Sequence, residues 1–378
     1  MQKIAVIGAS YLQLPLVKKA KEMGLQVHCF AWPEGAVCKE QADYFYPISI
    51  LEKDAILKVC QEVGIDGVCT IASDVAAPTV AYIANEMHLV GNDYHAAVAA
   101  NNKYLMREAF MKAGVPCPKY MVINSDILKT AEISEEIASF QLPVIVKPAD
   151  RSGSLGVTKV DTYDKLQEAV DFALEKSFKN QALIEEFVEG REISVEFISY
   201  DGIHYPLQIT DKVTTEAPHF VELEHHQPST LSSKMFSTIY DITKIALNAL
   251  GLTNGASHAE YKITNEGRIV IMEIGGRMGG DFIGSDLVRL STGYDFLKGV
   301  IDVALGEFRV PLKTLNMCSG VYFLCKETQH LKEAIRNWKD NPSCVDGEIT
   351  DEELRCVTCS ADRSGYVIYQ SDSRLSLC

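Results

Sequence analysis

The sequence predicts a mixed fold in which a doubly wound α/β domain is followed by α+β segments. Over about the first hundred residues, short apolar runs alternate with helical stretches, which is typical of a parallel sheet with helices on both faces. After Gly114–Pro118, whose two prolines cannot continue a helix, strand-like runs follow one another and antiparallel pairing is expected. The 378 residues are enough for two or three domains.

Each element is predicted from its hydrophobic period and from the residues that end it. In the N-terminal part, the predicted strands are Ile4–Ile7, Gln26–Phe30 and Gly67–Ile71, and the predicted helices are Pro15–Gly24, Lys53–Gly64, Val75–Met87 and Lys103–Ala113. Further on, the predicted strands are Val144–Lys147, Val157–Val160, Leu183–Phe187 and Glu192–Ile198, the predicted helices are Tyr163–Phe178, Ser233–Leu250 and one near Leu331–Trp338, and a hairpin is predicted over His258–Ile274.

The charge balance excludes some classes of partner. The chain has 36 Lys and Arg against 51 Asp and Glu, a net charge of −15, whereas nucleic acids and anionic membranes require a basic surface. No apolar run approaches the roughly 18 residues of a membrane span, and the N-terminus enters a strand without a secretory signal. We therefore expect a cytoplasmic protein with no nucleic-acid or membrane partner.

The 11 cysteines are scattered without regular spacing and many lie in apolar runs, which is typical of small buried side chains in a reducing compartment. Cys356 and Cys359 have the spacing of zinc ligands, but a structural zinc site needs a second tight pair. A strand is the favoured interpretation of that segment.

The turn Gly8–Gln13 lies where a dinucleotide-binding fingerprint would be expected, between a strand and a helix. It has the first glycine of that motif, but Tyr11 and Gln13 would obstruct a pyrophosphate. A tight strand-to-helix turn is therefore favoured over a dehydrogenase site.

Two later segments could bind a nucleotide. Lys147 ends an apolar strand, and the small residues of Arg151–Val157 would let backbone N–H groups wrap a phosphate, although a plain hairpin turn is the alternative. Along Leu183–Glu192, backbone groups could pair with a purine edge and a carboxylate could accept hydrogen bonds from ribose. A solvated acidic strand edge is the alternative there.

A predicted hairpin brings two glutamates together. If Glu266-Gly267 is a two-residue turn, Glu260 lies directly opposite Glu273, and a four-residue loop still leaves both on one face. A three-residue loop separates them unless a bulge restores the parity. Facing carboxylates repel each other, and Mg²⁺, which takes one or two carboxylates plus phosphate oxygens, would compensate. Neutralisation by Lys262 on the same face is the alternative.

The loop Gly275–Asp281 follows this hairpin directly. Its four glycines within six residues let the backbone approach a ligand. The guanidinium of Arg277 can donate two parallel hydrogen bonds to phosphate or carboxylate oxygens.

These motifs, in this order, resemble the ATP-grasp superfamily over residues 103 to 310, and the whole chain resembles its carboxylate–amine ligase branch. That branch includes biotin carboxylase-like and purine-biosynthetic members and L-amino-acid ligases. The resemblance implies a doubly wound domain, an ATP-grasp module of two α+β subdomains and a small C-terminal α+β region. The implied parts are 1–115 (N-terminal domain), 116–190 (small lid subdomain), 191–310 (large subdomain with the metal site) and 311–378 (C-terminal region).

The resemblance also assigns roles at matching positions. It implies that ATP and Mg²⁺ are bound, with Mn²⁺ as an alternative metal, and that Arg277 and Lys147 act on the transferring phosphoryl group. The implied nucleotide residues are Lys103, Lys147, Ser152, Gly153, Ser154 and Gly156 at the phosphates, Glu185, Glu186 and Val188 at the adenine hinge, and Glu192 at the ribose. The implied metal ligands are Glu260 and Glu273. The candidate substrate contacts are His226, His258, Asp281 and Arg289, with Lys212 and the stretch 222–228, which is interpreted as loop-like, as further candidates.

One position departs from the family pattern. The family usually carries an asparagine two residues after the second metal glutamate, and this chain has Gly275 there. The change removes a side-chain oxygen near the metals.

The resemblance implies an ATP-dependent ligase that forms a carbon–nitrogen bond. A substrate carboxylate would attack the γ-phosphoryl group, giving an acyl phosphate and ADP, and an amine would then displace phosphate. The expected partners are a small-molecule carboxylate and amine, with a homodimer left open. The alternatives are a bicarbonate- or formate-using enzyme of the purine-biosynthetic or carbamoyl-phosphate type, and an ATP-binding regulatory protein with little turnover.

Overall fold

The computed structural model describes residues 1–124, 137, 139–151, 155–216 and 219–377. Its N-terminal strands are β1 (Lys3–Ile7), β2 (Gln26–Phe30), β3 (Tyr44–Tyr46) and β4 (Gly67–Cys69), and its N-terminal helices are α1 (Leu14–Glu22), α2 (Lys53–Val63), α3 (Ala77–Glu86), α4 (Tyr94–Ala100) and α5 (Lys103–Lys112). The strands form a parallel sheet in the order β3-β2-β1-β4. Ile4 and Val6 pack in one apolar cluster, Ala5 and Ile7 in another, so this sheet is covered on both faces as predicted.

A second sheet is antiparallel. It consists of β5 (Tyr120–Asn124), β6 (Val144–Pro148), β7 (Thr158–Val160) and β8 (Gln181–Glu186), in the order β5-β8-β6-β7. Helix α6 (Leu166–Lys176) packs its apolar residues against this sheet, and together they form one apolar cluster.

The third sheet contains the remaining eight strands. They are β9 (Arg191–Tyr200), β10 (Ile203–Thr214), β11 (Glu222–Gln227), β12 (Gly255–Ile263), β13 (Ile269–Gly275), β14 (Cys318–Leu324), β15 (Cys344–Ile349) and β16 (Gly365–Ser371), and the helices of this part are α7 (Ser233–Leu250), α8 (Val288–Thr292), α9 (Phe296–Ala304) and α10 (Lys332–Arg336). The sheet order is β13-β12-β9-β10-β11-β14-β16-β15, so the C-terminal strands extend the sheet of residues 191–310. The mixed α/β fold class is confirmed, while the four-part division of the chain stays a prediction.

One face of the third sheet is apolar and the other is polar. Val195, Ala259 and Tyr261 pack against α7 on the apolar face. On the polar face, Lys212 pairs across the strands with both Glu192 and His225. The alternation of side chains along each strand therefore gathers charged residues on one surface.

The hairpin of β12 and β13 places Glu260 directly opposite Glu273, as predicted. Of the loop lengths considered, the two-residue turn is not formed: the backbone N–H of Thr264 donates to the carbonyl oxygen of Arg268 at 3.0 Å and closes a three-residue loop. A β-bulge that leaves Met272 without a direct partner then shifts the register and restores the parity.

Two other local predictions are wrong. The segment from Arg355 to Cys359 lies outside any strand, with Cys356 and Cys359 exposed. The loop-like interpretation of the stretch after Phe220 fails because Glu222–Gln227 pairs with both β10 and β14. Among the described helices, none combines the length and apolar character needed to cross a membrane.

Candidate active site

A cavity of about 380 Å³ lies between the second sheet and the polar face of the third. The predicted residues on its wall are Lys103, Lys147, Glu186, Val188, Glu192, His258, Glu260, Glu273 and Arg277. The further candidates Lys212 and Glu222 also line it, and so do three charged residues to which no role was assigned: Asp74, Arg151 and Lys262. Sequence-distant segments thus converge on one cavity.

One part of the cavity wall is apolar. Ile145 and Val157 contribute from the second sheet and its loop, Phe187 and Val188 from the link between β8 and β9, and Met272 from the bulge. A slot of this kind can bury the faces of a planar ring, while the link offers its backbone to the ring edge.

Glu185 lies behind the cavity wall rather than on it. Its side chain is 1% exposed, and its carboxylate accepts from Nε of Arg107 at 2.9 Å and lies 2.5 Å from Nζ of Lys147. Burial alone would raise the pKa of Glu185, but the two cations lower it. The pKa of Lys147 is also lowered, mainly because the ammonium group is buried.

Arg107 is fully buried and was missed by sequence reasoning. It also donates from Nη2 to the carbonyl oxygen of Met272 at 2.7 Å, so it ties α5 to the hairpin. The available signal was its position four residues after Lys103, on the same face of the helix.

The two phosphate-lysine candidates reach the cavity from different elements. Lys103 begins α5, and its ammonium group donates to the carbonyl oxygen of Arg151 at 2.7 Å and to Glu273 at 3.2 Å. Lys147 lies near the end of β6. Ser152, Gly153 and Ser154 lie outside the described residues, and Gly156 is buried against Pro148 rather than on the cavity wall.

Glu260 and Glu273 are each paired with an ammonium group. Lys212 lies 2.7 Å from Glu260 and holds the pKa of that carboxyl well below its usual range. Lys262 pairs with Glu192 instead, so the proposed neutralisation by Lys262 is replaced by one through Lys212. Two facing carboxylates on the wall of one cavity fit Mg²⁺, which draws its other ligands from phosphate and water.

Arg277 forms a bidentate ion pair with Asp74, at 2.8 Å through Nε and 2.7 Å through Nη2. Burial would raise the pKa of Asp74, but Arg277 lowers it. Asp74 was missed by sequence reasoning, although its place after β4 offered a signal, because ligands often bind beyond the carboxyl ends of parallel strands.

His258 is held by a buried carboxylate. Its Nδ1 hydrogen-bonds to Glu196, and its Nε2 lies 3.4 Å from Glu260. Burial would lower the pKa of His258, but Glu196 raises it to about 9. Glu196 also accepts from the backbone N–H of Gly279 at 3.1 Å, and no sequence signal pointed to it.

Three candidate substrate contacts, His226, Asp281 and Arg289, are not on the cavity wall. His226 is buried between Tyr369 and Glu224, at 2.9 and 2.8 Å. Asp281 forms an ion pair with Arg363 at 2.8 Å. Arg289 is exposed on α8. The Gly8–Gln13 turn is closed by the Gln13 side chain, which accepts hydrogen bonds from Ser10.

A family model described as an ATP-grasp domain matches residues 140–286, which span β6 to the loop after β13. Residues 140–286 are an ATP-grasp domain. The alanine–anticapsin ligase of Bacillus subtilis (strain 168) is 28% identical over 249 residues, which cover 60% of this chain and 51% of that protein. The chain spans 48% to 61% of the length of the first curated relatives that it matches.

Solved structures resemble nearly the whole chain in fold. The L-amino acid ligase from Bacillus licheniformis aligns with a TM-score of 0.80 at 21% identity, covering 99% of this chain and 94% of that one. The biotin carboxylase domain of a Hydrogenobacter thermophilus 2-oxoglutarate carboxylase, crystallised with MgADP and bicarbonate, aligns with a TM-score of 0.76 at 17% identity, covering 98% of this chain and 86% of that one. These likenesses establish the fold.

Proposed function

We propose that this protein is an ATP-dependent ligase that activates a carboxylate as an acyl phosphate and joins it to an amine. The observation that carries the proposal is the cavity wall, which combines an apolar slot with two opposed glutamates. In a chain of net charge −15, this cavity is lined by as many lysine and arginine side chains as carboxylates, six of each, and the lysines and arginines are available to an anionic ligand. They are Lys103, Lys147, Arg151, Lys212, Lys262 and Arg277.

The likenesses to ligases and carboxylases support the reaction class. In the first step, a carboxylate oxygen of the substrate bonds to the γ-phosphorus of ATP, and the bond to the bridging oxygen breaks to release ADP. In the second step, the amine nitrogen bonds to the acyl carbon, phosphate leaves, and the nitrogen loses a proton.

The protein acts by positioning and by charge neutralisation, since phosphoryl transfer needs little covalent help. The apolar slot and the β8–β9 link hold the base, and Glu192 faces the ribose. Lys103, Lys147 and Arg277 offset the charge on the moving phosphoryl oxygens. Mg²⁺ held by Glu260 and Glu273 would add positive charge between the phosphates when bound.

A substrate panel tests this proposal. The purified protein is given MgATP with single amino acids, with amino-acid pairs, with bicarbonate and an amine, and with formate and an amine, and phosphate release and product mass are measured. We expect phosphate release to require both a carboxylate and an amine, and the product mass to equal their sum less one water. We expect Glu273→Gln to lower this rate about 100-fold or more, and Glu266→Gln, exposed on the same hairpin, to leave it unchanged.

Other outcomes would contradict the proposal. Substrate-dependent ADP formation that survives in Glu273→Gln would show that the assignment of this carboxylate is wrong. Release that depends on bicarbonate or formate would favour a purine-biosynthetic or carbamoyl-phosphate type of enzyme. Tight ATP binding without release across the panel would favour a regulatory protein.

A further inference from the structure

Two loops from different sheets meet at the Arg277 side of the cavity. The Asp74 loop (residues 70–76) follows β4, and the glycine loop (residues 276–282) follows β13. The backbone N–H of Ala72 donates to the carbonyl oxygen of Met278 at 3.1 Å. A Cβ on Gly280 would lie 3.2 Å from the Cβ of Ala72, so the two loops pack closely.

This contact places Asp74 against Arg277 in a nearly buried pair. The side chains are 12% and 15% exposed, and both lie on the cavity wall. Asp74 engages the Nε–Nη2 edge of the guanidinium. A guanidinium carries five N–H donors, so the pair fixes its orientation without exhausting it.

Asp74 can occupy this place because position 275 has no side chain. Gly275 lies two residues after Glu273 along β13, and therefore on the same face. A Cβ on Gly275 would lie 2.5 Å from Oδ1 of Asp74 and 3.1 Å from Nε of Arg277. A side chain there would displace the carboxylate.

We propose that Asp74 and Gly275 are a matched pair that positions Arg277. The carboxylate from the N-terminal sheet fills the space of a side chain at position 275, and from there it holds the guanidinium toward the γ-phosphoryl group. Asp74 is thus a positioning residue. This inference rests on the proposed function, because that function assigns Arg277 to the γ-phosphate.

The test compares two nucleotides by calorimetry, each with Mg²⁺: ADP, and a β,γ-imido analogue of ATP that keeps a γ-phosphate. Asp74→Asn keeps the shape and removes the charge. We expect it to weaken binding of the analogue about tenfold and of ADP less than about threefold, because one charge-assisted contact to the γ-phosphate loses its support. A general loss of structure would weaken both nucleotides alike.

A second mutation tests the pairing itself. We expect Gly275→Asn to weaken analogue binding as Asp74→Asn does, because the new side chain expels the carboxylate. In the double variant Asp74→Ala with Gly275→Asn, the amide fills the vacated space and its oxygen accepts from Arg277. Binding of the analogue should then return to within about threefold of the unmodified protein.

The control is Lys19→Ala, which breaks a 3.0 Å ion pair between α1 and Asp295 away from the cavity and should change neither affinity. Equal loss of both nucleotides in Asp74→Asn, or no rescue in the double variant, would overturn the pairing. Tighter analogue binding in Asp74→Asn would overturn it too, since Asp74 would then compete with the γ-phosphate. If the unmodified protein bound neither nucleotide, the proposed function itself would fail.

Discussion

The carboxylate of Glu185 lies between two buried cations, and each of the three charges depends on the others. Arg107 is fully buried, Lys147 reaches the cavity, and Glu185 holds both. A buried ion pair adds little net stability compared with apolar residues, but removing one partner leaves an uncompensated charge. The geometry of Lys147 at the cavity therefore depends on a residue that does not line it.

We predict that Glu185→Gln lowers the free energy of unfolding by about 3 kcal/mol or more, because two buried cations lose their counter-charge. The folded-state pKa of Glu185 is lowered, so its contribution is present above the usual carboxyl range and is lost as the pH falls through the folded-state pKa. The difference between the two proteins should accordingly shrink in acid. Urea unfolding at several pH values measures it.

The matched control for this prediction is Glu175→Gln. Glu175 is 69% exposed and pairs with Lys176 at 2.7 Å, so its replacement should change stability by less than about 0.5 kcal/mol. Equal effects of the two substitutions would show that the buried cluster is not stabilised by the charge of Glu185.

A site residue can be predicted from the sequence when a local pattern, such as the alternation of side chains along a strand, determines where it lies. The facing of Glu260 and Glu273 follows from strand parity, and the structure confirms it through the bulge that the parity argument required. Asp74, Arg107 and Glu196 are single charged residues whose partners lie far away in sequence. The position of Arg107 on the face of Lys103 and that of Asp74 after β4 are signals of nearness to the site, but they do not identify the partners, because tertiary packing selects those.

At the scale of elements, Gly190 marks the point where the chain passes from the second sheet to the third. It follows the link that carries Val188 and precedes β9. A Cβ at this position would lie 2.3 Å from the carbonyl oxygen of Ile263, on the neighbouring strand. The backbone of a paired strand cannot move aside without a large energetic cost. The passage of the chain from the second sheet to the third at position 190 therefore requires glycine.

We predict that Gly190→Ala costs roughly 3 kcal/mol or more in stability, since the methyl group must push β9 and β12 apart. It should also weaken MgADP binding, because the displaced link carries Val188 of the proposed adenine hinge. Gly202→Ala is the control: Gly202 has a φ of +75° in a turn with no atom within 4 Å of the added Cβ, so we expect about 1–2 kcal/mol from backbone strain alone. Urea unfolding and calorimetry measure both effects, and equal costs would contradict the steric argument.

The prediction of an element depends mainly on how clear its hydrophobic period is, and even the 12-residue strand β10 was missed. The helix Ser233–Leu250 agrees with its predicted bounds because a serine cap and a terminal glycine delimit a long amphipathic run. The strand Tyr44–Tyr46 and the helix Tyr94–Ala100 were missed. Both elements are too short to show a hydrophobic period in the sequence, and tertiary packing stabilises them.

At the scale of the whole molecule, the C-terminal strands are part of the third sheet and do not form a separate sheet. β14 pairs with β11 on one side and with β16 on the other. Val321, Phe323 and Ile368 pack with Leu287 and Leu290 beside the glycine loop. The sequence could not predict whether residues 311–378 form a separate region or join the third sheet. The order of strands in a sheet is determined by pairing between strands that are distant in the sequence.

We predict that a chain ending at residue 310 does not fold into a soluble, cooperative unit. Removal of the later strands would open the edge of β11 and expose the apolar side of α8, and an open edge favours aggregation. Solubility, thermal unfolding and MgADP binding measure the outcome.

As a control, a protease site is inserted after Val310, within the exposed stretch 309–316, and the folded protein is then cut. The two pieces should stay together and keep MgADP affinity, because strand pairing rather than the link joins them. A soluble fragment 1–310 that unfolds cooperatively and binds MgADP as tightly as the whole chain would instead establish residues 311–378 as an independent addition.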